Sequence, residues 1–336
     1  MTRNATSAAF PRLLADVGGT NVRFALETAP MRIGPVTAFK VADFPSLEAA
    51  MWQYVQPIES TGRPRHAAVG LANPVTGDHV RLTNHDWAFS IEGMRQALGL
   101  DTLVAINDFT SLALALPYLP PEGLVQVRDG SALPTAPRAL VGPGTGLGVS
   151  GLVPAPGGGA VALAGEGGHI ELMPVTDDEW IAWRAVHAQL GRVSAERLLS
   201  GMGLSAIHAA LSAETGTLLA APLTPSQVTD GAMRSGDPLC RRAFDVFCGL
   251  LGSVAADVAL VLGARGGVYI GGGIVPRFVE AFRASPFAER FGAKGRMSQY
   301  LADIPVYVIT ADFPALPGLA RALADRLEGD MRHPTP

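Results

Sequence analysis

The alternation of apolar and polar positions is clearest between Leu13 and Leu26. Leu13, Leu14 and Val17 read as a strand apolar enough to be buried on both faces. After Gly18, Gly19, Thr20 and Asn21, the residues Val22, Phe24 and Leu26 alternate with Arg23, Ala25 and Glu27, the period of a half-buried strand. The two glycines give the turn its backbone freedom and leave N–H groups open to an anion. Asp16 stands just before the turn, where a carboxylate could face a metal–phosphate group. By itself the stretch is equally an ordinary hairpin with a surface aspartate.

The pattern continues as an α/β chain. Val36–Val41 reads as a third strand, and Ser46 caps a helix from Leu47 to about Val55. Ala67–Leu71 is a short apolar strand, and Val80, Leu82 and Trp87 are expected to continue its sheet. Ser90 caps a helix over Ile91–Leu98, ended by Gly99. Leu103–Ile106 is a buried strand with Asn107-Asp108 at its end, and a helix follows from about Thr110 to Leu116. The proline-rich stretch Pro117–Pro137 reads as a crossing into a second domain.

That domain opens like the first. Strand Ala139–Val141, glycine turn Gly142–Gly146 and strand Leu147–Val153 are followed by a hairpin tip at Pro154–Ala160. Gly165-Glu166-Gly167-Gly168-His169 then leads to a short strand, Ile170–Met173. Helices are expected over Asp177–Leu190, Ala195–Leu199 and Leu204–Leu211. A long one is opened by Asp237-Pro238 and runs to about Leu262. Val268–Ile270 precedes Gly271-Gly272-Gly273 and a helix starting near Pro276; Val306–Ile309 is the last strand and about Pro317–Leu327 the last helix. Strand–turn–strand followed by more sheet and helices therefore occurs twice, from near residues 13 and 139. This implies two related α/β lobes with a cleft between them.

Composition narrows the partners. Hydrophobic residues are 48% of the 336 and charged residues 17%, enough for a large core, and the net charge of −4 favours neither nucleic acid nor an anionic membrane. Cys240 and Cys248 lie eight residues apart on one expected helix, too far for a disulfide there and without zinc spacing. They read as buried, reduced cysteines of a cytosolic protein. Met1–Pro11 has no targeting pattern, Leu250–Leu262 is too short for a membrane span, and Asn4-Ala5-Thr6 is a chance sequon.

Three glycine turns carry the candidate chemistry: Asp16–Asn21, Gly142–Gly148 and Gly271–Gly273, each after a strand. Together they suit two hairpins gripping phosphates and a third backbone approach to a nucleoside. None has the Walker spacing. Gly144-Thr145-Gly146-Leu147-Gly148 precedes a strand rather than a helix, against a dinucleotide fold. An aspartate at Asp108 could take a proton from a hydroxyl attacking phosphate, or could simply cap the next helix; Thr110 as the cap would free it. Glu166 and His169, in a glycine-rich loop read as flexible, suit a polyhydroxylated ligand. Glu196 sits in a helix first turn, which its charge favours regardless of function.

Taken in order, Leu14–Arg23, Thr83–Phe89, Ile106–Thr110, Gly144–Gly148, Gly165–His169, Val193–Gly201 and Gly272–Phe278 closely resemble the bacterial ATP-dependent glucokinases of the hexokinase–actin superfamily. The resemblance spans about Leu13–Leu327. It implies an α/β, actin-like ATPase (ribonuclease H-like) duplicated fold, with residues 1–118 plus about 312–336 as the small lobe and 119–311 as the large one. It implies ATP with Mg2+, and transfer of the γ-phosphate to the 6-hydroxyl of D-glucose. On the same basis Asp108 is expected to be the catalytic base, and Asn107, Glu166, His169 and Glu196 to bind the sugar. Asp16, Gly18, Gly19, Thr20 and Asn21 would form the first phosphate motif, Gly144, Thr145 and Gly146 the second, and Gly271, Gly272 and Gly273 the adenosine motif. No dedicated protein metal site is implied; Mg2+ would arrive on ATP, with Asp16 reaching it through water. A cytoplasmic homodimer is also implied, without nucleic acid or membrane.

Two departures stand out. The zinc-binding cysteine cluster of the related repressor/kinase family is absent, which places the chain with the metal-free glucokinases. Pro314-Ala-Leu-Pro317 has one proline more than expected, which leaves the start of the last helix open. The competing readings are a kinase for mannose or fructose, a sugar-responsive regulator that binds without catalysis, and a nucleotide-driven chaperone or filament. Only 12 residues precede the first strand, too few for a regulator's DNA-binding module, and the third reading leaves the sugar-ligand set unexplained.

Overall fold

In the computed structural model, β1 (Arg12–Val17) and β2 (Asn21–Ala29) form the expected hairpin, in register from Arg12 opposite Glu27 to Val17 opposite Val22. The structure describes residues 10–58, 62–82, 85–156, 158–217 and 220–332, the last three as backbone only. The sequon at Asn4, Thr83 and Asn84 of the Thr83–Phe89 motif, Gly157 of the hairpin tip and His333 lie outside the described residues. The chain divides into two compact units: one holds the described residues up to Leu119 and from Asp312, the other is Pro120–Ala311.

The first unit continues with β3 (Arg32–Ile33), β4 (Thr37–Lys40), α1 (Leu47–Val55), β5 (His66–Leu71), β6 (His79–Arg81), β7 (Ala88–Ser90), α2 (Ile91–Ala97), β8 (Thr102–Asn107) and α3 (Asp108–Ala115). Ser46 and Ser90 cap α1 and α2 as expected, accepting from the N–H groups of Ala49 and Gly93. Its sheet runs β3-β2-β1-β5-β8, with β4 also on β2; β1, β5 and β8 are parallel. β6 and β7 do not extend this sheet but pair as a separate ribbon.

The second unit holds β9 (Leu124–Arg128), β10 (Arg138–Pro143), β11 (Leu147–Pro154), β12 (Ala160–Ala162), α4 (Asp177–Leu190), α5 (Ala195–Leu198), α6 (Gly201–Glu214), α7 (Pro225–Asp230), α8 (Pro238–Leu262), β13 (Val268–Ile270), α9 (Val279–Arg283), α10 (Phe287–Gly292), α11 (Ser298–Ala302) and β14 (Val306–Ile309). The chain then returns to the first unit as α12 (Leu316–Arg332), with Pro317 in the first turn, where its missing N–H costs nothing. The second sheet runs β12-β11-β10-β13-β14-β9. Its first five strands repeat the order of the first sheet: hairpin on one side, parallel strands on the other.

α12 explains where the alternation reading fails. It covers the second face of the first sheet with Leu316, Leu319 and Leu323, packing on Leu14, Ala25 and Ala68. The Ala25 and Glu27 face of β2 is therefore buried, and Glu27 turns inward to meet Arg12 at 3.3 Å. In the second unit, α8 runs through the core. It is long and apolar enough to cross a membrane, but 72% of its most apolar stretch is buried in the fold. Cys240 and Cys248 lie on it, free and buried; burial pushes the Cys240 thiol up to about 11 and raises that of Cys248 further.

Other expectations need correction. The proline-rich crossing contains β9, an edge strand antiparallel to β14. Ile170–Met173 is no strand: one bridge, Glu171 to Ser194, is all that forms. Near Pro276 there is only a 3-10 turn, Val275–Arg277, and α9 starts at Val279.

Candidate active site

In the first unit, Asp16 on β1 lies level with Gly70 on β5 and Ile106 on β8. Asn107 and Asp108 follow at the same, carboxyl-terminal edge of the three parallel strands, the edge where open α/β sheets bind ligands. Asp16 also faces Arg23 across the hairpin, with Nη1 donating to Oδ2 at 3.2 Å. Burial raises the Asp16 pKa, and Arg23 opposes that rise.

The helix cap is neither Asp108 nor Thr110. Asn107 caps α3, its Oδ1 accepting the Thr110 N–H at 3.0 Å. Its Nδ2 donates to Asp108 Oδ1 at 2.9 Å, which also accepts the Phe109 N–H at 2.8 Å. One carboxylate oxygen thus orients Asp108 at the first helical position and the other is left for chemistry. Burial pushes Asp108 up to about 6; the Phe109 N–H opposes this and the nearby Asp16 charge adds to it. A carboxylate so poised is a competent proton acceptor near neutral pH.

The first glycine turn is built differently from the expectation. Neither Gly18 nor Gly19 takes a positive φ. The Gly18 N–H closes the turn on the Asn21 carbonyl at 3.0 Å, while Gly19 and Thr20 are exposed. Beside the turn, Val17, Gly18, Gly19, Ala72, Asn73, Leu82 and His85 line a small cleft. Asn73 and His85 were not legible as site residues. Asn73 is a turn residue that bonds the Arg81 carbonyl and whose own carbonyl accepts from Asn107. His85 packs edge-on to Trp87, its ring centroid 5.0 Å away. The alternation marks Arg23 as an outward position of β2, and the structure sets it on Asp16.

In the second unit the two remaining glycine turns touch. β10 and β13 are parallel neighbours, and Gly271 donates to the Val141 carbonyl at 2.9 Å. Gly272 takes φ +80°, and any Cβ on it would strike the Pro143 carbonyl. Gly144 and Gly146 close their own turn at 2.8 Å, with Thr145 exposed at its tip.

The loop carrying Glu166 and His169 is not built for flexibility. A Cβ on Gly168 would overlap the Leu147 carbonyl, and one on Gly167 would meet Val149 at 2.7 Å. These glycines press the loop against β11. Arg192 ties the His169 carbonyl at 2.7 Å, and the Ala195 N–H ties that of Ile170 at 2.9 Å. Glu166, His169 and Glu196 are thereby gathered on one framework, with Glu166 and His169 exposed. Glu196 Oε2 accepts the Leu147 N–H at 2.9 Å, next to the Gly144–Gly146 turn.

A family model described as "Glucokinase" matches residues 13–326. A glucokinase of Cupriavidus metallidurans is 79% identical over 332 residues, covering 99% of this chain and 98% of its own. A glucokinase of Chromobacterium violaceum is 56% identical over 319 residues, 95% and 91% of the two chains. Among solved structures, a glucokinase from an Antarctic psychrotroph superposes with a TM-score of 0.84 at 38% identity, covering 94% of this chain and 99% of that one. One from Balamuthia mandrillaris in complex with glucose shares the fold, with a TM-score of 0.74 at 18% identity over 95% and 96% of the chains.

Proposed function

Because the chain belongs to the glucokinase family and is an ATP-dependent glucose kinase, we propose that Asp108 is the base for phosphoryl transfer from ATP to the 6-hydroxyl of D-glucose. The actin-like ATPase fold is duplicated in its two sheets. The observation that carries the assignment is the Asn107–Asp108 pair. A cap residue outside Asp108 frees the carboxylate, two donors orient one of its oxygens, and burial raises its pKa to about 6.

Asn107 borders the sugar beside Asp108, its Oδ1 holding the Thr110 N–H and its Nδ2 donating to Asp108 Oδ1. Glu166 and Glu196 accept from hydroxyls, and His169 offers one donor and one acceptor when neutral. Asp16 and the turn Gly18–Asn21 hold phosphate, as do Gly144, Thr145 and Gly146. Gly271, Gly272 and Gly273 meet the adenosine with backbone, the open side being at Gly273, while Gly272 is set by its contact with the Pro143 carbonyl.

Among the described residues no three Asp, Glu, His or Cys side chains gather as a metal cage. Asp16, with one oxygen on Arg23, fits Mg2+ brought in by ATP, an ion that keeps several waters and takes one or two carboxylates beside phosphates. That ion would neutralise phosphate charge. A cytosolic setting is supported by the two buried free thiols, and a homodimer by family likeness.

A coupled assay of ADP release across glucose, mannose and fructose tests the reading. Release that depends on hexose and is fastest with glucose is expected. Release indifferent to the sugar would overturn it.

A further inference from the structure

Leu147, the first residue after the second phosphate turn, is bound from two sides by the sugar framework. Its N–H is held by Glu196, and its carbonyl lies where a Cβ on Gly168 would be. A Cβ on Gly146 would in turn overlap the Glu196 carboxylate, so the turn is shaped around that side chain. The other end of the turn is tied to the same segment, since the Gly201 N–H donates to the Gly144 carbonyl at 2.8 Å. That segment is laced to the sugar loop through Ala195 to Ile170 at 2.9 Å and Leu172 to Val193 at 3.1 Å.

We propose that Glu196 couples the sugar and nucleotide sites of the second unit, so that glucose on Glu196 fixes the Gly144–Gly146 turn in its phosphate-binding shape. This rests on the sugar-ligand reading above and adds to it a positioning role for Glu196. The carboxylate has two oxygens. Oε2 is committed to Leu147, which leaves Oε1 for a sugar hydroxyl. A hydroxyl on Oε1 removes the rotational freedom of the carboxylate and so holds Oε2 on the Leu147 N–H. Ordering prepaid by one ligand is not charged to the next, and the resulting cooperativity is reciprocal.

The test is calorimetric binding of a non-hydrolysable ATP analogue with and without saturating glucose, in wild type, Glu196→Ala and Glu166→Gln. Glucose should tighten nucleotide binding to wild type by roughly 5-fold or more, within the usual range of site coupling. Glu166→Gln should bind glucose more weakly yet keep that ratio once saturated. Glu196→Ala should weaken glucose and bring the ratio close to one. A ratio that survives in Glu196→Ala while glucose weakens would overturn the coupling but leave the ligand assignment standing. Unchanged glucose affinity in both variants would overturn the ligand assignment itself. Hydrogen exchange on wild type needs no variant to fold: glucose alone should slow exchange at the Gly144 and Leu147 amides, and no slowing would refute the proposal.

Discussion

Asp108→Asn is the substitution for which the structure predicts opposite effects on activity and stability. The amide oxygen of Asn can still accept from Phe109 and Asn107, so α3 and glucose binding should persist. It cannot take a proton, so turnover should fall by roughly two to four orders of magnitude. Stability should move the other way. Asp108 has a folded pKa of about 6 against an ordinary 3.8, so between those values the folded state holds the extra proton. Folding stability therefore declines as pH rises through that window and stays reduced above it. The gap corresponds to about 3 kcal/mol, against which Asn loses about 0.3–1 kcal/mol of favourable charge at a helix N-terminus. A net gain of about 2 kcal/mol should raise the melting temperature at pH 7.5 by several degrees, at roughly 2–4 °C per kcal/mol. The gain should shrink as pH falls towards 4. In the same series the wild-type kcat/KM should drop on an acid limb centred near pH 6, and the residual activity of the variant should lack that limb. Turnover within tenfold of wild type, with a melting temperature no higher at pH 7.5, would refute both the proton-acceptor role and the buried charge.

Glu166→Gln should weaken glucose binding by roughly 1–3 kcal/mol with ATP affinity unchanged, measured by calorimetry with each ligand separately. Gly146→Ala pushes a methyl into the Glu196 carboxylate and should raise the KM for ATP and lower kcat together in steady-state assays. Glu179→Ala leaves Arg290 buried without its partner, a pair at 2.8 Å with side chains 2% and 12% exposed, and removes the acceptor for the Val175 N–H. It should cost about 3–5 kcal/mol in denaturant unfolding while leaving the KM for glucose intact. Cys240 and Cys248 should resist thiol reagents in the native protein and react only after denaturation.

Local chemistry was legible and non-local pairing was not. Ser46, Ser90 and Asp237-Pro238 announce helix starts because a cap needs only its own few residues. β9 was hidden because its one sheet partner is β14, almost two hundred residues later, and prolines surround it. The inward turn of Glu27 depends on α12, which the local alternation around Leu26 could not anticipate. Glycines at 167 and 168 were legible as glycines but not as contacts, since what presses on them is Leu147 and Val149 of another strand. The site residues could be nominated from motif order. The pKa of Asp108 could not, because it depends on burial and on Asp16, which only the fold brings near.

The return of α12 imposes an order on biosynthesis. Pro120–Ala311 is continuous in sequence and has a core of its own, so all of it is synthesised before α12. The unit bearing Asp16 and Asp108 is different: until Leu316–Arg332 emerges, Leu14, Ala25 and Ala68 have no cover. α12 also lies so close to α3 that a Cβ on Gly318 would overlap the Ser111 carbonyl, one turn beyond Asp108. Until α12 is made, the nascent chain therefore carries Asp108 on a helix without that support. α12 is the segment that seats it, and products truncated before α12 are left with an exposed apolar sheet face and a loosely held Asp108.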